Sequence, residues 1–401
     1  MDANIEPSQP EKQGMSPLVG VKAEPDQDTK PPIAFATTPQ QSSVPNGQPV
    51  PGAAMEEILL APRWLGDVLI VLNNNTCVRV HFAVLVLASI EFQKMLGVFK
   101  SLDHMIRRTV TDSLVVGPRQ RSTDAPQVIE LLQDDPEAMI MVLRTMHMLD
   151  LFDWRGWTFD TAALQLAKMG AVAAKYKCAS KVKPVAEAMM LRGINRQSMT
   201  SFGTATTMRL YAQYAAAAYL FGTYNLFSHY TRRLVLDATT SFTEIQEIEG
   251  CSRLPTSVIL GLEEQRSTLR EELIATISAR TNGKCQTSGC SQYSTSGTFT
   301  GHITRRLSVP HWPPPWTSTT LRSLIEKLKK TGDVQLGHTY PVCQHKNNPI
   351  VISQKALKTI CDTVDGHARG LCLTCAREDK SQSRCEHVDY VVKNQLKDWI
   401  V

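Results

Sequence analysis

Gly66-Asp67-Val68-Leu69-Ile70-Val71-Leu72, then Asn73-Asn74-Asn75, then Thr76-Cys77-Val78-Arg79-Val80, read as two strands joined by a tight turn. The first run is compact and apolar, the asparagines are a turn signal, and the second run is rich in β-branched residues. Two helical patterns follow, His81 to Leu87 with Val84, Leu85 and Leu87, and Ser89 to Leu96 with Phe92, Met95 and Leu96. After an irregular stretch over 97–125 that holds Arg107, Arg108, Arg119 and Arg121, Val128-Ile129-Glu130-Leu131 predicts a third strand. The next helix has an explicit start. Asp135 can cap it, Pro136 suits its first position, and Glu137 suits the positive end of its dipole. Its apolar face is expected through Met139, Ile140, Leu143, Met146 and Leu149, and further helices are expected over Thr161 to Lys175 and Lys181 to Leu191.

This order of elements, with these residues, resembles a BTB/POZ domain over about residues 62–192. The resemblance rests on several ordered blocks: Asp67-Val68, Val80-His81-Phe82-Ala83-Val84-Leu85, Ser89-Ile90-Glu91-Phe92, Ile129-Glu130-Leu131 with Asp134-Asp135-Pro136-Glu137, Ala173-Ala174-Lys175-Tyr176-Lys177-Cys178, and Lys181-Val182-Lys183-Pro184. It implies an interaction domain that recruits protein partners and pairs with a second copy through its first helix and an exchanged strand. Phe82 stands where many members carry Lys or Arg, and no hydrophobic-x-Glu element follows Leu96. Asp67 and His81 are expected to satisfy local hydrogen bonds at the strand–helix junction rather than to form a catalytic pair.

Beyond this block, residues 200–280 read as a helical extension. Met208 to Tyr230 is rich in alanine and aromatics (Tyr211, Tyr214, Tyr219, Phe221, Tyr224, Phe227), a stripe read as core packing. Pro255 to Arg280 carries Val258, Ile259, Leu262, Leu269, Leu273 and Ile277 along one side.

Seven of the ten cysteines fall in residues 281–401. Cys372 and Cys375 form a Cys-x-x-Cys pair, a turn that can aim two thiolates at one ion, and Cys385-Glu386-His387 can complete a tetrahedral set. Such soft and borderline ligands point to a structural zinc ion rather than calcium or magnesium. Cys285, Cys290, Cys343 and His345 make a second, more irregular candidate set. The competing reading is buried thiols with surface histidines. BTB proteins of filamentous fungi, to which the chain is similar, share a Gly-Leu-Cys-Leu-x-Cys stretch, here Gly370 to Cys375.

Residues 1–58 read as a disordered acidic leader in which Pro, Gln and Ser dominate. Residues 1–60 hold three Lys or Arg against eight Asp or Glu, whereas residues 281–401 hold 16 against nine. A basic C-terminal segment is compatible with nucleic-acid contact. Val21-Lys22-Ala23-Glu24, with acids downstream, looks like a SUMO-acceptor site at Lys22. The N-terminus lacks the apolar core of a secretory signal, and no stretch reaches the roughly 18 apolar residues of a membrane span. Nucleus or cytoplasm is therefore the expected address. No P-loop, Rossmann glycine fingerprint, His-Glu-x-x-His or Gly-x-Ser-x-Gly occurs, so an enzyme is not expected.

The sequence thus predicts an α+β chain: disordered leader 1–58, BTB/POZ domain 62–192, helical extension 200–280, and a basic Cys/His-containing module 281–401. The expected function is regulatory protein–protein interaction. A nuclear transcriptional regulator and a cullin-3 ubiquitin-ligase adaptor are the alternatives.

Overall fold

The computed structural model describes residues 56–63, 65–72, 76–97, 126–149, 158–197, 204–281, 303–307, 312–314, 319–336, 350–380, 382, 385 and 387. The expected hairpin is β2 (Val68–Val71) against β3 (Thr76–Val80), antiparallel, with Val68 opposite Val80 and Ile70 opposite Val78. Alternate side chains of β2 are buried, as a half-covered strand requires. β4 (Gln127–Glu130) runs parallel to β2 on one side. On the other side of the hairpin lies β1 (Glu56–Leu59), parallel to β3, so the sheet order is β1-β3-β2-β4. Residues 56–58, part of the leader by composition, belong to this strand. They form a strand because Glu57 pairs with Arg79 Nε at 2.6 Å, an ionic contact that a leader's composition does not reveal. The rest of the leader, Lys22 included, lies outside the described residues.

Helix starts follow the chemistry of their caps. Asp67 Oδ1 accepts the Phe82 N–H (2.6 Å) and His81 Nδ1 accepts that of Ala83 (3.2 Å), which together begin α1 (Phe82–Ala88). Both side chains therefore serve local hydrogen bonds, as expected. Ser89 Oγ accepts the Phe92 N–H and begins α2 (Ile90–Met95). Asp135 caps α3 (Pro136–Met146) with Pro136 inside the first turn. α3 ends sooner than its periodicity suggests. His147 is its C-cap, Met148 turns into the left-handed region (φ 53), and Leu149 leaves the apolar face. α4 (Phe159–Lys175) and α5 (Ala179–Gln197) follow, the latter running through Pro184.

Three separate sequence blocks meet where α2 begins and α4 ends. Ser89 Oγ donates to the Tyr176 carbonyl (2.5 Å), Phe92 stacks on the Tyr176 ring with centroids 4.8 Å apart, and the Tyr176 hydroxyl donates to Asp134 Oδ2 (2.5 Å). Burial, then this carboxylate, holds the Tyr176 phenol protonated well above its ordinary range.

The stretch from Met208 to Tyr230 is two helices rather than one, α6 (Thr204–Phe221) and α7 (Tyr224–Asp237). Gly222 breaks it at φ +71, a conformation that costs side-chain-bearing residues about 1–2 kcal/mol. The aromatic stripe is core: Tyr214 stacks on Tyr230 at 4.8 Å, and the Tyr230 hydroxyl donates to the Met190 carbonyl at 2.8 Å. α8 (Thr256–Thr281) packs against α7. Then come α9 (Leu321–Lys330), a small antiparallel pair β5 (Val334–Leu336) and β6 (Ile350–Ile352), α10 (Gln354–His367) and α11 (Leu373–Arg377).

α9 is strongly amphipathic and presents Leu321, Leu324, Ile325 and Leu328 inward. Each such side chain gains about 1.5–3 kcal/mol by burial, so the helix cannot stand alone. It packs on α7 and α10, and Arg322 Nε meets Asp237 Oδ1 at 2.5 Å. Buried residues from Leu60 to Ala376 form one continuous apolar cluster. Among the described residues no helix is long and apolar enough to cross a membrane.

Two histidines make this fold acid-sensitive. His147 Nε2 accepts the His81 N–H (3.0 Å) while its Nδ1 faces the Leu143 carbonyl (2.8 Å). Burial lowers its pKa, and burial with the guanidiniums of Arg233, Arg232 and Arg322 takes His229 down to about 4. Both rings are thus neutral when folded, whereas the unfolded chain takes up protons near pH 6.5. The stability they contribute is full above about pH 6.5 and lost as pH falls towards 4, on the order of 3 kcal/mol for His229. The urea midpoint should therefore drop between pH 7 and pH 5, and His147→Gln should flatten part of that slope while lowering stability at pH 7.

Candidate metal centre

The C-terminal Cys/His segment begins with a close approach of two backbones. Gly370 has φ +66, and a Cβ there would lie 1.9 Å from the Ser228 carbonyl oxygen of α7. Only glycine fits. Around this contact one stripe of α7 holds the incoming chain. Ser228 Oγ donates to the Arg369 carbonyl (3.1 Å), Thr231 Oγ1 accepts the Leu371 N–H (2.8 Å), and Arg232 Nε donates to the Ala368 carbonyl (2.5 Å). Arg232 Nη2 also reaches Asp365 Oδ1 at 3.0 Å. Residues 228, 231 and 232 are neighbours on one helix face, which is why three groups of a passing chain, between residues 368 and 371, can be met.

Cys372 is the N-cap of α11, and Cys375 lies in its first turn. The chain then reverses: Asp379 takes φ 53, and the Lys380 N–H returns to the Cys375 carbonyl (2.9 Å). Gln382 fixes the return with a two-point clamp. Its Oε1 accepts the Cys372 N–H (2.8 Å) and its Nε2 donates to the Cys372 carbonyl (3.2 Å). The Cys385 N–H then meets the Gln382 carbonyl at 3.3 Å. On the far side, Arg377 Nη2 donates to the Tyr219 carbonyl (2.7 Å), its guanidinium 5.7 Å from that ring's centroid.

The result is a Cys₃His cluster. The ligand atoms of Cys372, Cys375, Cys385 and His387 lie within 4.8 Å of one another and can take a metal ion. Sγ of Cys375 and Sγ of Cys385 each sit 3.7 Å from His387 Nδ1, so Nδ1 is the ring nitrogen that faces the common centre. Cys372 and Cys375 are buried and Cys385 is half-buried.

The thiols perturb one another in opposite directions. Burial pushes the Cys375 thiol up to about 12, with Cys385 and Cys372 adding to the rise. At Cys372 burial also acts to raise the pKa, but the Cys375 N–H, the Cys385 and Cys375 thiols and the Thr374 N–H outweigh it, and the pKa falls. The Cys372 thiolate is thus favoured while Cys375 resists ionisation, the behaviour of like charges crowded together. A bound cation relieves that conflict by pairing with every thiolate at once.

All four residues proposed from spacing are therefore brought together. Cys285, Cys290, Cys343 and His345 lie outside the described residues. Cys77, Cys178, Cys251 and Cys361 are separate buried thiols, and burial raises each pKa. The supports Gln382, Ser228, Thr231 and Arg232 were not singled out in the sequence. The legible signal was Gly370, next but one to the Cys pair. Comparison of the chain with protein-family models, with curated proteins and with solved structures finds no match.

Gly370→Ala should unseat this segment. The left-handed conformation alone costs about 1–2 kcal/mol, and the backbone overlap adds to it. Hydrogen exchange should accelerate over residues 365–387, while β2 and β3 keep their protection.

Proposed function

We propose that this chain is a protein-interaction protein built on a BTB/POZ domain over residues 62–192, with its Cys/His segment held by a structural zinc ion. The observation that carries the first half is the junction of Ser89, Phe92, Asp134 and Tyr176. These residues come from the separate blocks that resemble the family, and they contact one another directly. The element order agrees with the expected hairpin, two helices and third strand, and that strand pairs parallel to β2. The surface needed for partners is supported by exposed apolar side chains on α1 and α2: Leu87, 78% exposed, with Ile90 and Met95. Apolar side chains clustered on a surface favour association.

Zinc is supported by the donor set. Three thiolates and an imidazole suit Zn²⁺ better than hard cations, and four protein ligands close the coordination sphere in the manner of structural sites. Zn–S bonds of about 2.3 Å and Zn–N bonds of about 2.0–2.1 Å place tetrahedral S and N atoms roughly 3.5–3.6 Å apart, close to the 3.7 Å separations around His387 Nδ1.

Two measurements test the two halves. The full chain should scatter light as a dimer at high micromolar concentration, and Leu87→Glu should shift it to monomer. A strictly monomeric wild type at that concentration counts against pairing. Elemental analysis should give about one zinc per chain, with Cys372→Ser and Cys385→Ser each removing the same ion. Chelation should loosen residues 365–387 more than the N-terminal sheet. Metal-free protein with an unaltered C-terminal segment would end the zinc proposal.

A further inference from the structure

Three amphipathic elements of the C-terminal half turn their polar sides outward around one turn of the chain. Ile303 and Leu307 of the helical turn over residues 303–307 are buried, which leaves Arg305 and Arg306 exposed. α9 buries Leu321, Leu324, Ile325 and Leu328 and so exposes Lys327 and Lys330. α10 buries Leu357, Ile360, Cys361 and Val364 and exposes Lys355 and Lys358. The elements meet at the turn over residues 331–333. A Cβ at Gly332 would lie 3.3 Å from Arg306 Nη1, Lys327 Nζ donates to the Leu307 carbonyl (3.5 Å), and Asp333 Oδ1 accepts the Gln354 N–H (2.7 Å).

The charge balance there is basic. Residues 303–307, 321–336 and 350–362 hold eight Lys or Arg against three Asp or Glu. Arg322 is paired with Asp237, and Lys329 with Asp362, which Lys358 also attracts. The six exposed cations form no ion pair among the described residues, and Glu326 and Asp333 are the carboxylates left beside them. Folding alone does not favour this arrangement. Lysines in the last turn of α9 complement its dipole, but Lys355 stands in the first turn of α10, where no acid is present and the dipole repels a cation. Arg306, Lys330 and Lys355 also crowd like charges around one turn. A bound polyanion relieves both repulsions.

The surroundings distinguish among polyanions. No Phe, Tyr or Trp occurs in residues 303–307, 321–336 or 350–367, and Val351 is the only exposed large apolar side chain among those of them that are described. A membrane-bound helix or a protein interface buries apolar side chains, and single-stranded nucleic acid stacks on aromatics. Contact with the phosphates of a duplex runs on cations, here supplied by three elements. We propose that this face binds the phosphate backbone of double-stranded nucleic acid without reading its sequence. The site does not depend on the BTB reading or on the metal.

The test is fluorescence polarisation of the full chain with a short labelled DNA duplex of random sequence. With about four phosphates neutralised, affinity should fall roughly 150-fold between about 50 and 200 mM salt. A variant with Arg306→Gln, Lys330→Gln and Lys355→Gln should lower the slope of log affinity against log salt by about three. Lys355→Gln alone should lower it by about one and, by removing a cation from the first turn of α10, leave the thermal midpoint unchanged or raised. A control with Lys181→Gln, Arg192→Gln and Arg253→Gln, all exposed, removes the same charge elsewhere and should bind as the wild type does. Absence of duplex binding by the wild type, equal losses in the two triple variants, or an unchanged slope in Lys355→Gln would each overturn the proposal. So would tighter binding of single-stranded DNA, or displacement of the duplex by polyglutamate or phosphatidylserine vesicles at equal charge.

Discussion

The contact on which the C-terminal half depends is that of Gly370 against the Ser228 carbonyl. It lets two backbones touch without a side chain between them. That distance allows Ser228, Thr231 and Arg232 to reach the main chain of residues 368–371 directly. Neutral hydrogen bonds contribute only about 0.5–1.5 kcal/mol each, and the guanidinium bonds more. Their joint effect is geometric. They fix where α11 starts, and the start of α11 fixes where the sulfurs of Cys372 and Cys375 point.

α7 does this while serving the core with its other face. Phe227, Tyr230 and Leu234 are buried, and Tyr230 is anchored to Met190 through its hydroxyl. One helix therefore joins α5 and α6 behind it to the Cys/His segment in front. The link is rigid because the Tyr214–Tyr230 stack and the Arg322–Asp237 pair brace it on both sides.

The cluster itself would be unfavourable as four bare side chains. Burial and mutual proximity push Cys375 upward, while N–H donors favour the thiolate of Cys372. A cation at the centre would offset this conflict. The Gln382 clamp matters because it holds the reversal that returns Cys385 and His387 to the first pair.

Local chemistry is what the sequence determined by itself. The hairpin, the caps at Ser89 and Asp135 and the Cys-x-x-Cys turn depend on neighbours within a few residues, and their side chains announce them. The four ligands were also legible, because only a few residue types bind soft metals and they cluster along the chain. Tertiary structure decided what depends on distant partners. β1 forms because Arg79 lies beside Glu57, a pairing across 22 residues. Gly222 splits an alanine-rich run whose periodicity is unbroken, and Met148 ends α3 before Leu149 can join its apolar face. The stripe of Ser228, Thr231 and Arg232 reads in sequence as an ordinary polar helix face. It becomes a seat only when a chain some 140 residues away brings backbone groups to it, since hydrogen bonds carry no signature in a sequence until both partners are in place.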